Sequence, residues 1–436
     1  MRSRILSLFL VLAGIAVFSG SALAQQKFIA HLNSAQEVPT NVSAGIGTCV
    51  VTLNAAGNSI SVSCTYSGLT SNLQADHIHG NAAPGVNAGV LFGFGATGGT
   101  SGSFSAGPFA VTPTQVANMR AHLFYVNMHT VNFGGGEIRG QLKQANTVFD
   151  SDGDGRTDIT VFRQSVNTFY TLRSLTNTLE SNVFGSGAGD NWLNNTCDFD
   201  GDGRGDALLI ELDAAGKAYW TIVQSGTNTI RNVQWGDFAA GVLDTLAIGD
   251  YDGDGRQDIA VFRRSTGVWY IIDSSTGTSR AEVFGTVNDF PSVGDYDGDG
   301  KADLTAVRIE SGQRVWYIRN SSTGTVRREV FGTSATDGVF FFAQVDVDGD
   351  GKQDVMVNRT VSGQRVFFIL RSSDSAVQTV TWGLAPSSTA LFGDYDGDGK
   401  TDFVSRLVTG GVMTWNILQS SNGAHRSVDW GTTGDQ

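Results

Sequence analysis

The nonapeptide Asp-x-Asp-Gly-Asp-Gly-x-x-Asp occurs six times, beginning at Asp150, Asp198, Asp250, Asp295, Asp346 and Asp394. The intervals are 48, 52, 45, 51 and 48 residues, a period that fits propeller or solenoid units. Other features keep the same phase. About twenty residues after each loop comes an aromatic-rich apolar stretch, as in "VWYII" and "MTWNI". Later in each copy stands an aromatic-Gly pair: Phe184-Gly185, Trp235-Gly236, Phe284-Gly285, Phe331-Gly332, Trp382-Gly383 and Trp430-Gly431.

Within one unit "TLAIGD" reads as a strand and the acidic loop follows. "DIAVFRR", "VWYIID" and "SRAEVFG" then read as three more strands separated by Ser/Thr/Gly turns. Four short antiparallel strands per unit predict a propeller blade, and six units predict six blades. Gly is abundant at 56 residues and Pro scarce at six, which agrees with an all-β chain. The last unit ends five residues after Trp430-Gly431, so the strand that should follow it is missing. "NTVF", 146–149, supplies such a strand at the other end and is expected to complete the final sheet, leaving no exposed edge.

Four carboxylates in nine residues repel one another unless something neutralises them. Asp at positions 1, 3, 5 and 9, the position-7 backbone carbonyl and a turn made by Gly at position 6 form an oxygen cage suited to Ca²⁺. Six such cages predict about six Ca²⁺ per chain. The ligand sets are Asp150, Asp152, Asp154, Arg156 and Asp158; Asp198, Asp200, Asp202, Arg204 and Asp206; Asp250, Asp252, Asp254, Arg256 and Asp258; Asp295, Asp297, Asp299, Lys301 and Asp303; Asp346, Asp348, Asp350, Lys352 and Asp354; Asp394, Asp396, Asp398, Lys400 and Asp402, the Arg and Lys acting through their carbonyls. The closing acid stands at position 9 rather than 12, and a β-branched alternating segment follows, which excludes EF-hand helices. The chain's formal charge is −13, yet these loops carry 24 Asp and only six basic residues, so the acidity is concentrated in them. Binding six dications would remove most of the repulsion and couple metal to folding. So acidic a chain is no candidate for nucleic acid.

Other positions carry weaker signals. Phe169, Trp269, Trp316, Phe367 and Trp415 either stack on sugars or pack between sheets, and recurrence in every unit favours packing. Arg163, Arg263, Arg308 and Arg359 recur one strand after the loop, with Glu211 in the second unit's place, and are expected to pair locally.

The chain opens with "MRSR", an apolar run from Ile5 to Phe18 and "SALA", the layout of a secretory signal peptide over 1–24. The run is too short for a comfortable span and none of spanning length follows, so the mature chain is expected outside the cytoplasm with no membrane span.

Residues 27–143 lack acidic loops and read as a second β-rich unit, separated from the repeats (146–436) by so short a connection that the two are expected to be held close. Cys49 and Cys64 flank "NAAGN" at matching distances, which places them opposite one another on a hairpin and makes a disulfide plausible after export. Cys197 reads as a small buried residue. His77 and His79 alternate on a strand and face the same way, and His129 on another strand could approach. The three form a second candidate metal site, with His31, His122 or Glu137 as a further ligand.

At this point the residues match known families. The acidic loops, the "VFR…WYI…SSTG…FG" pattern and "FGDYDGDG" resemble FG-GAP or VCBS-type repeats, the bacterial relatives of the integrin α-subunit propeller, over about 146–436. The resemblance implies calcium-stabilised blades and a role in adhesion or in binding an extracellular glycan or protein. It also implies metal loops on the face opposite the ligand, although integrin propellers have seven blades. "LNSAQEVPTNVSAGIG", "HIHGNAAPGVNAGV" and "YVNMHTVNFGGGEIRGQL" resemble the chordin-type CHRD domain. That resemblance implies an immunoglobulin-like β sandwich or barrel and extracellular binding without established catalysis. The "HIH" is also similar to copper-zinc superoxide dismutases, whose further histidine ligands are not apparent at comparable spacing. No nucleophile elbow or phosphate loop appears. The expected function is thus a secreted, non-enzymatic calcium-binding propeller scaffold, with a redox or hydrolytic metalloenzyme centred on His77, His79 and His129 as the alternative.

Overall fold

A computed structural model describes residues 26–436 except 55, 83–84, 121–122, 145–147, 154, 175, 185–190, 193–197, 202–203, 226, 299–300 and 341–342. The signal-peptide segment 1–24 and Cys197 lie outside the described residues. Among the described residues no helix is long and apolar enough to cross a membrane.

The first unit comprises β1 (Gln26–Asn33), β2 (Ile46–Leu53), β3 (Ser59–Ser67), β4 (Leu73–Gly80), β5 (Val90–Gly93), β6 (Gly102–Ala110), α1 (Pro113–Arg120), β7 (Phe124–Thr130), β8 (Ile138–Gln141) and β9 (Lys143–Gln144). The strands form one sheet in the order β5-β4-β7-β8-β1-β2-β3-β6, with β9 beside β1. It curls into a nearly closed barrel because alternate side chains of β2, β3 and β7 enter one apolar core that includes Val51, Val62, Val126 and Met128. The two edge strands meet through Phe92 against Phe109 and, just beyond β5, Phe94 against Phe104, with ring centroids 5.6 and 5.8 Å apart. Cys49 and Cys64 pair directly across β2 and β3 and are joined in a disulfide with Cα atoms 4.1 Å apart. β5, β6 and α1 fall in sequence that reads as Gly/Ser/Ala-rich connection. The start of α1 is nevertheless encoded: Thr112 Oγ1 accepts from the Gln115 N–H and Gln115 Oε1 accepts from the Thr112 N–H. The short connection to the second unit also carries structure, since Lys143 and Gln144 pair with Ile29 and Phe28.

The second unit is a six-bladed propeller. Blade 1 holds β10 (Ile159–Arg163), β11 (Thr168–Leu172) and β12 (Leu179–Val183). Blades 2 to 6, over 191–237, 244–283, 290–333, 337–384 and 389–432, are four-stranded antiparallel sheets whose strands follow chain order. Each acidic loop joins the first strand of a blade to the second.

Ring closure differs from the sequence expectation. Asn146 and Thr147 of "NTVF" lie outside the described residues, and Val148 and Phe149 take no part in the final sheet, because blade 6 makes its four strands from its own residues. Phe149 instead takes the first-strand position of blade 1, its carbonyl accepting the Asp158 N–H as the Gly249 carbonyl accepts the Asp258 N–H in blade 3. The start of that same strand comes from the other end of the chain. Gln436 exchanges backbone hydrogen bonds with Phe162, and Asp435 meets Arg163 as Asp244 meets Arg263. Two segments far apart in sequence therefore share one strand position, and the ring closes in blade 1.

The recurring rings are core residues. Phe169, Trp269, Trp316, Phe367 and Trp415, with Trp220 in blade 2, are each at most 3% exposed, so they are unavailable to stack on a sugar. Each indole N–H is also satisfied: Trp220, Trp269, Trp316 and Trp415 donate to the carbonyls of Trp235, Phe284, Phe331 and Trp430. The aromatic before the later glycine ties neighbouring blades. Trp235, Trp382 and Trp430 donate to the carbonyls of Tyr270, Asn416 and Tyr170 in the next blade. Arg263, Arg308 and Arg359 pair locally as expected, with Asp244, Asp289 and Asp337 at 2.6–2.8 Å, whereas Arg163 meets the distant Asp435 at 2.8 Å.

The barrel sits over the loop-bearing face of the propeller. Thr48 Oγ1 donates to the Gly349 carbonyl at 2.9 Å. A cavity of about 300 Å³ is lined by Ile29, Gln36 and Gln141 on the barrel side and by loop residues such as Asp250, Asp346 and Asp394 on the other.

Candidate metal centres

Position 1 of each acidic loop is built into the turn. Its Oδ1 accepts from the position-4 glycine N–H at Asp150, Asp198, Asp250, Asp295, Asp346 and Asp394, at 2.5–2.7 Å. Its Oδ2 accepts from the position-6 glycine at Asp150, Asp250, Asp346 and Asp394. Among the described residues both glycines hold positive φ, for example 83° at Gly253 and 86° at Gly255, a conformation other residues rarely adopt.

Position 9 is a clamp. In all six blades one carboxylate oxygen accepts the position-2 N–H, at Asp158, Asp206, Asp258, Asp303, Asp354 and Asp402. The other oxygen accepts the N–H of Ser174, Ser225, Ser274, Ser321, Ser372 and Ser420, in the turn after the third strand. This residue thus fixes its own loop and a turn 16–19 residues on. Replacing Asp303 by alanine leaves the N–H groups of Tyr296 and Ser321 without acceptors. At about 1–3 kcal/mol for the buried Tyr296 donor, with little from Ser321 at the surface, urea unfolding is expected to show a loss of about 1–3 kcal/mol.

Positions 3 and 5 are covered by serines that the sequence reading took only as turn formers. Ser275, Ser322, Ser373 and Ser421 donate from Oγ to Asp252, Asp297, Asp348 and Asp396. Ser274, Ser372 and Ser420 donate to Asp254, Asp350 and Asp398. The available signal was the Ser-Ser pair recurring in phase with the loops. Position 7 donates its N–H to position 5 at Arg256, Lys352 and Lys400. The side chains of Arg256, Lys301, Lys352 and Lys400 lie across the position-4 glycines Gly201, Gly253, Gly298 and Gly349 of the preceding loop, where an added Cβ would meet them at 2.8–3.0 Å. Position 8 closes a circle. The N–H of Thr157, Gly205, Gln257, Ala302, Gln353 and Thr401 donates to the carbonyl of Asp394, Asp150, Asp198, Asp250, Asp295 and Asp346 at 2.6–2.8 Å, so each loop is bonded to the next around the ring.

Carboxylate oxygens of Asp150, Asp152 and Asp158, of Asp198, Asp200 and Asp206, and of Asp250, Asp252 and Asp254 lie within 4.8 Å of one another. Asp252 and Asp258 gather in the same way with Asp273, an acid just before the blade 3 turn that the loop pattern did not include. Arg156 and Arg204 belong to the two loops of blades 1 and 2, while Asp154, Asp202 and Asp299 lie outside the described residues. Burial pushes the position-9 carboxyls up, to about 7 at Asp206, Asp303 and Asp354 and about 6 at Asp258 and Asp402. Burial, reinforced by Asp350, Asp354 and Asp348, raises Asp346 well above its ordinary value. Oδ1 of Asp348 is buried and accepts no hydrogen bond. A hard dication fits this donor set, because it would supply the charge that the surrounding carboxylates lack and occupy that oxygen.

The barrel carries a different cluster. His77 and His79 project from the same face of β4, beside Asn127 and Tyr125 of β7, and His129 stands two residues further along β7. One nitrogen from each lies within 4.8 Å of the other two. Nδ1 of His79 faces the Ala88 carbonyl at 3.0 Å and Nδ1 of His129 the Gly134 carbonyl at 3.1 Å. Burial lowers all three pKa values, which favours neutral imidazoles. Glu137, named from sequence as a further ligand, does not join them. Its carboxylate accepts from Ser43 Oγ, Thr70 N, Thr70 Oγ1 and Thr130 Oγ1, and although burial pushes its pKa up, those bonds hold it below the ordinary value. The side chain of His31 and all of His122 lie outside the described residues.

A wheel of Asp/Gly-loop blades joined to a nearly closed β-barrel defines the class: a propeller scaffold with an N-terminal β module. Family models make the composition specific. The chain carries a CHRD domain at 28–142 and FG-GAP-like repeats at 250–306, 295–357 and 346–405. The loops at Asp150 and Asp198 share the clamp and the loop-to-loop bonds of the matched repeats. No curated protein sequence matches the chain. Similar solved structures include an auxiliary nutrient binding protein from Bacteroides thetaiotaomicron, at 11% identity and TM-score 0.32, covering 85% of this chain and 94% of that one. The exotype rhamnogalacturonan lyase YesX gives 13% and 0.30, covering 84% and 80%. The NanB sialidase from Streptococcus pneumoniae gives 11% and 0.25, covering 93% and 88%. Likeness at this level carries no argument about activity.

Proposed function

We propose that this is an exported, non-enzymatic scaffold whose six acidic loops hold Ca²⁺ and whose uncovered propeller face binds an extracellular glycan or protein. The observation that carries the calcium reading is the crowding at the loops: buried carboxylates with raised pKa values, and an Asp348 oxygen with no donor, sit at the joints where each blade is bonded to the next. Ions there would act on folding rather than on a substrate. What supports this choice of face is the barrel, which covers the loop side and leaves the opposite side, where the Arg–Asp pairs lie, open. The blade tryptophans being core residues, recognition there rests on the connections between strands.

Equilibrium dialysis of the mature chain followed by metal analysis tests the calcium reading. About six Ca²⁺ per chain is expected, one for each loop. Fewer than one bound ion at millimolar free calcium would sink it. Glycan-array and pull-down screens with the calcium-loaded chain test the binding role, and self-assembly without ligand capture in light scattering would replace it with a structural one.

A further inference from the structure

We infer that His77, His79 and His129 bind one divalent transition-metal ion, zinc or copper(II), through Nδ1 of His77 and Nε2 of His79 and His129. These three nitrogens are buried and have no hydrogen-bond partner in the protein. They belong to side chains that each place a nitrogen within 4.8 Å of the other two. An ion at about 2.0–2.1 Å from each nitrogen would draw the three together from this spacing. Buried polar atoms are seldom left unsatisfied, and three converging on one spot form a ready-made acceptor set.

The surroundings fix the orientation such a site needs. The Ala88 and Gly134 carbonyls take the Nδ1–H of His79 and His129, which leaves each Nε2 lone pair directed away from the backbone. Tyr125 stacks on His79 with ring planes 2° apart and centroids 4.8 Å apart. Its hydroxyl accepts the Ala88 N–H at 3.0 Å, so one side chain holds both the imidazole and the residue whose carbonyl orients it. The Arg139 guanidinium lies 3.5 Å over the Tyr125 ring and donates to the Val86 carbonyl and Asn87 Oδ1, which holds the same loop. Imidazole donors select zinc or copper over calcium, whereas the all-oxygen loops do the reverse. With three protein ligands, a fourth position stays free for water or another small ligand.

The test uses the mature full-length chain, stripped with chelator and reloaded with calcium so that the acidic loops are filled. Zinc or copper(II) is then added alone, excess is removed, and bound metal is counted. One ion per chain is expected, and copper(II) electron paramagnetic resonance of the unmodified protein should show nitrogen ligation. His79→Ala and His129→Ala should each weaken binding by more than the roughly 10–100-fold that loss of an outer partner costs, and Tyr125→Phe should fall within that range. The wild-type spectrum needs no variant, so a misfolded variant does not leave the matter open. Failure to retain a stoichiometric ion, a spectrum with oxygen ligands only, or unchanged affinity in folded His79→Ala would overturn the inference.

Discussion

At about pH 7.5 millimolar calcium is expected to raise the melting temperature of the mature chain by more than about 10 °C over chelator, and at about pH 5 by less than half as much. One site held at 100 times its Kd adds about 2.7 kcal/mol. Each kcal/mol moves Tm by about 2–4 °C in domains approaching this size, so even two filled sites reach the first figure. The pH dependence follows from the loop carboxyls. Burial raises Asp206, Asp303 and Asp354 to about 7, and Asp258 and Asp402 to about 6, from an ordinary 3.8. A raised folded pKa means that the metal-free native state keeps protons the unfolded chain has released. Its stability is therefore complete below about pH 4 and falls as pH rises toward 7. Calcium competes with those protons and restores what is lost, so its effect grows across the same window. Histidines 77, 79 and 129, with lowered pKa values, work the other way below about pH 6.5. For that reason the measured quantity is the calcium-dependent difference at each pH. Equal melting in calcium and chelator at pH 7.5 would contradict the loop reading.

Removing Asp435 and Gln436 is expected to cost about 3 kcal/mol, seen as a fall in Tm of roughly 6–12 °C. Arg163 would lose a carboxylate that is almost wholly buried and bonded at 2.8 Å. Arg163 keeps about a third of its side chain in water and is solvated when its partner leaves, so losing the pair costs about 1 kcal/mol rather than the larger cost of stranding a buried charge. The two backbone bonds between Gln436 and Phe162 add about 1 kcal/mol each. Asp244→Ala breaks the equivalent pair in blade 3 with the chain continuous on both sides, so its effect should be smaller. A two-residue deletion that melts like the parent would show that the ring does not depend on this join.

Much of the architecture was legible because it repeats. The phase of the loops, the buried rings and the aromatic-Gly pairs gave the number of blades, and the spacing of Cys49 and Cys64 about a hairpin gave their pairing. The helix start at Thr112-Pro113-Thr114-Gln115 was also written in the sequence and was obscured by the Gly/Ser-rich context around it. What could not be read locally depends on distant chain meeting chain. Asp435 and Arg163 are 272 residues apart, and only the closed ring makes them neighbours. The His77 and His79 pair declared a common face, but their partner His129 is identified by the adjacency of β4 and β7. Glu137 looked equally eligible until Ser43, Thr70 and Thr130 were seen to occupy its oxygens.

Because the circle of position-8 bonds is the same at every joint, including that between blades 6 and 1, nothing in the loops marks where the polypeptide begins. As far as these bonds go, the seam could lie at any joint. A circularly permuted repeat array, cut between other blades and rejoined at Gln436, would meet the same geometry at each step. What ties the natural seam to its place is the barrel, which is fused there and lies across the hub.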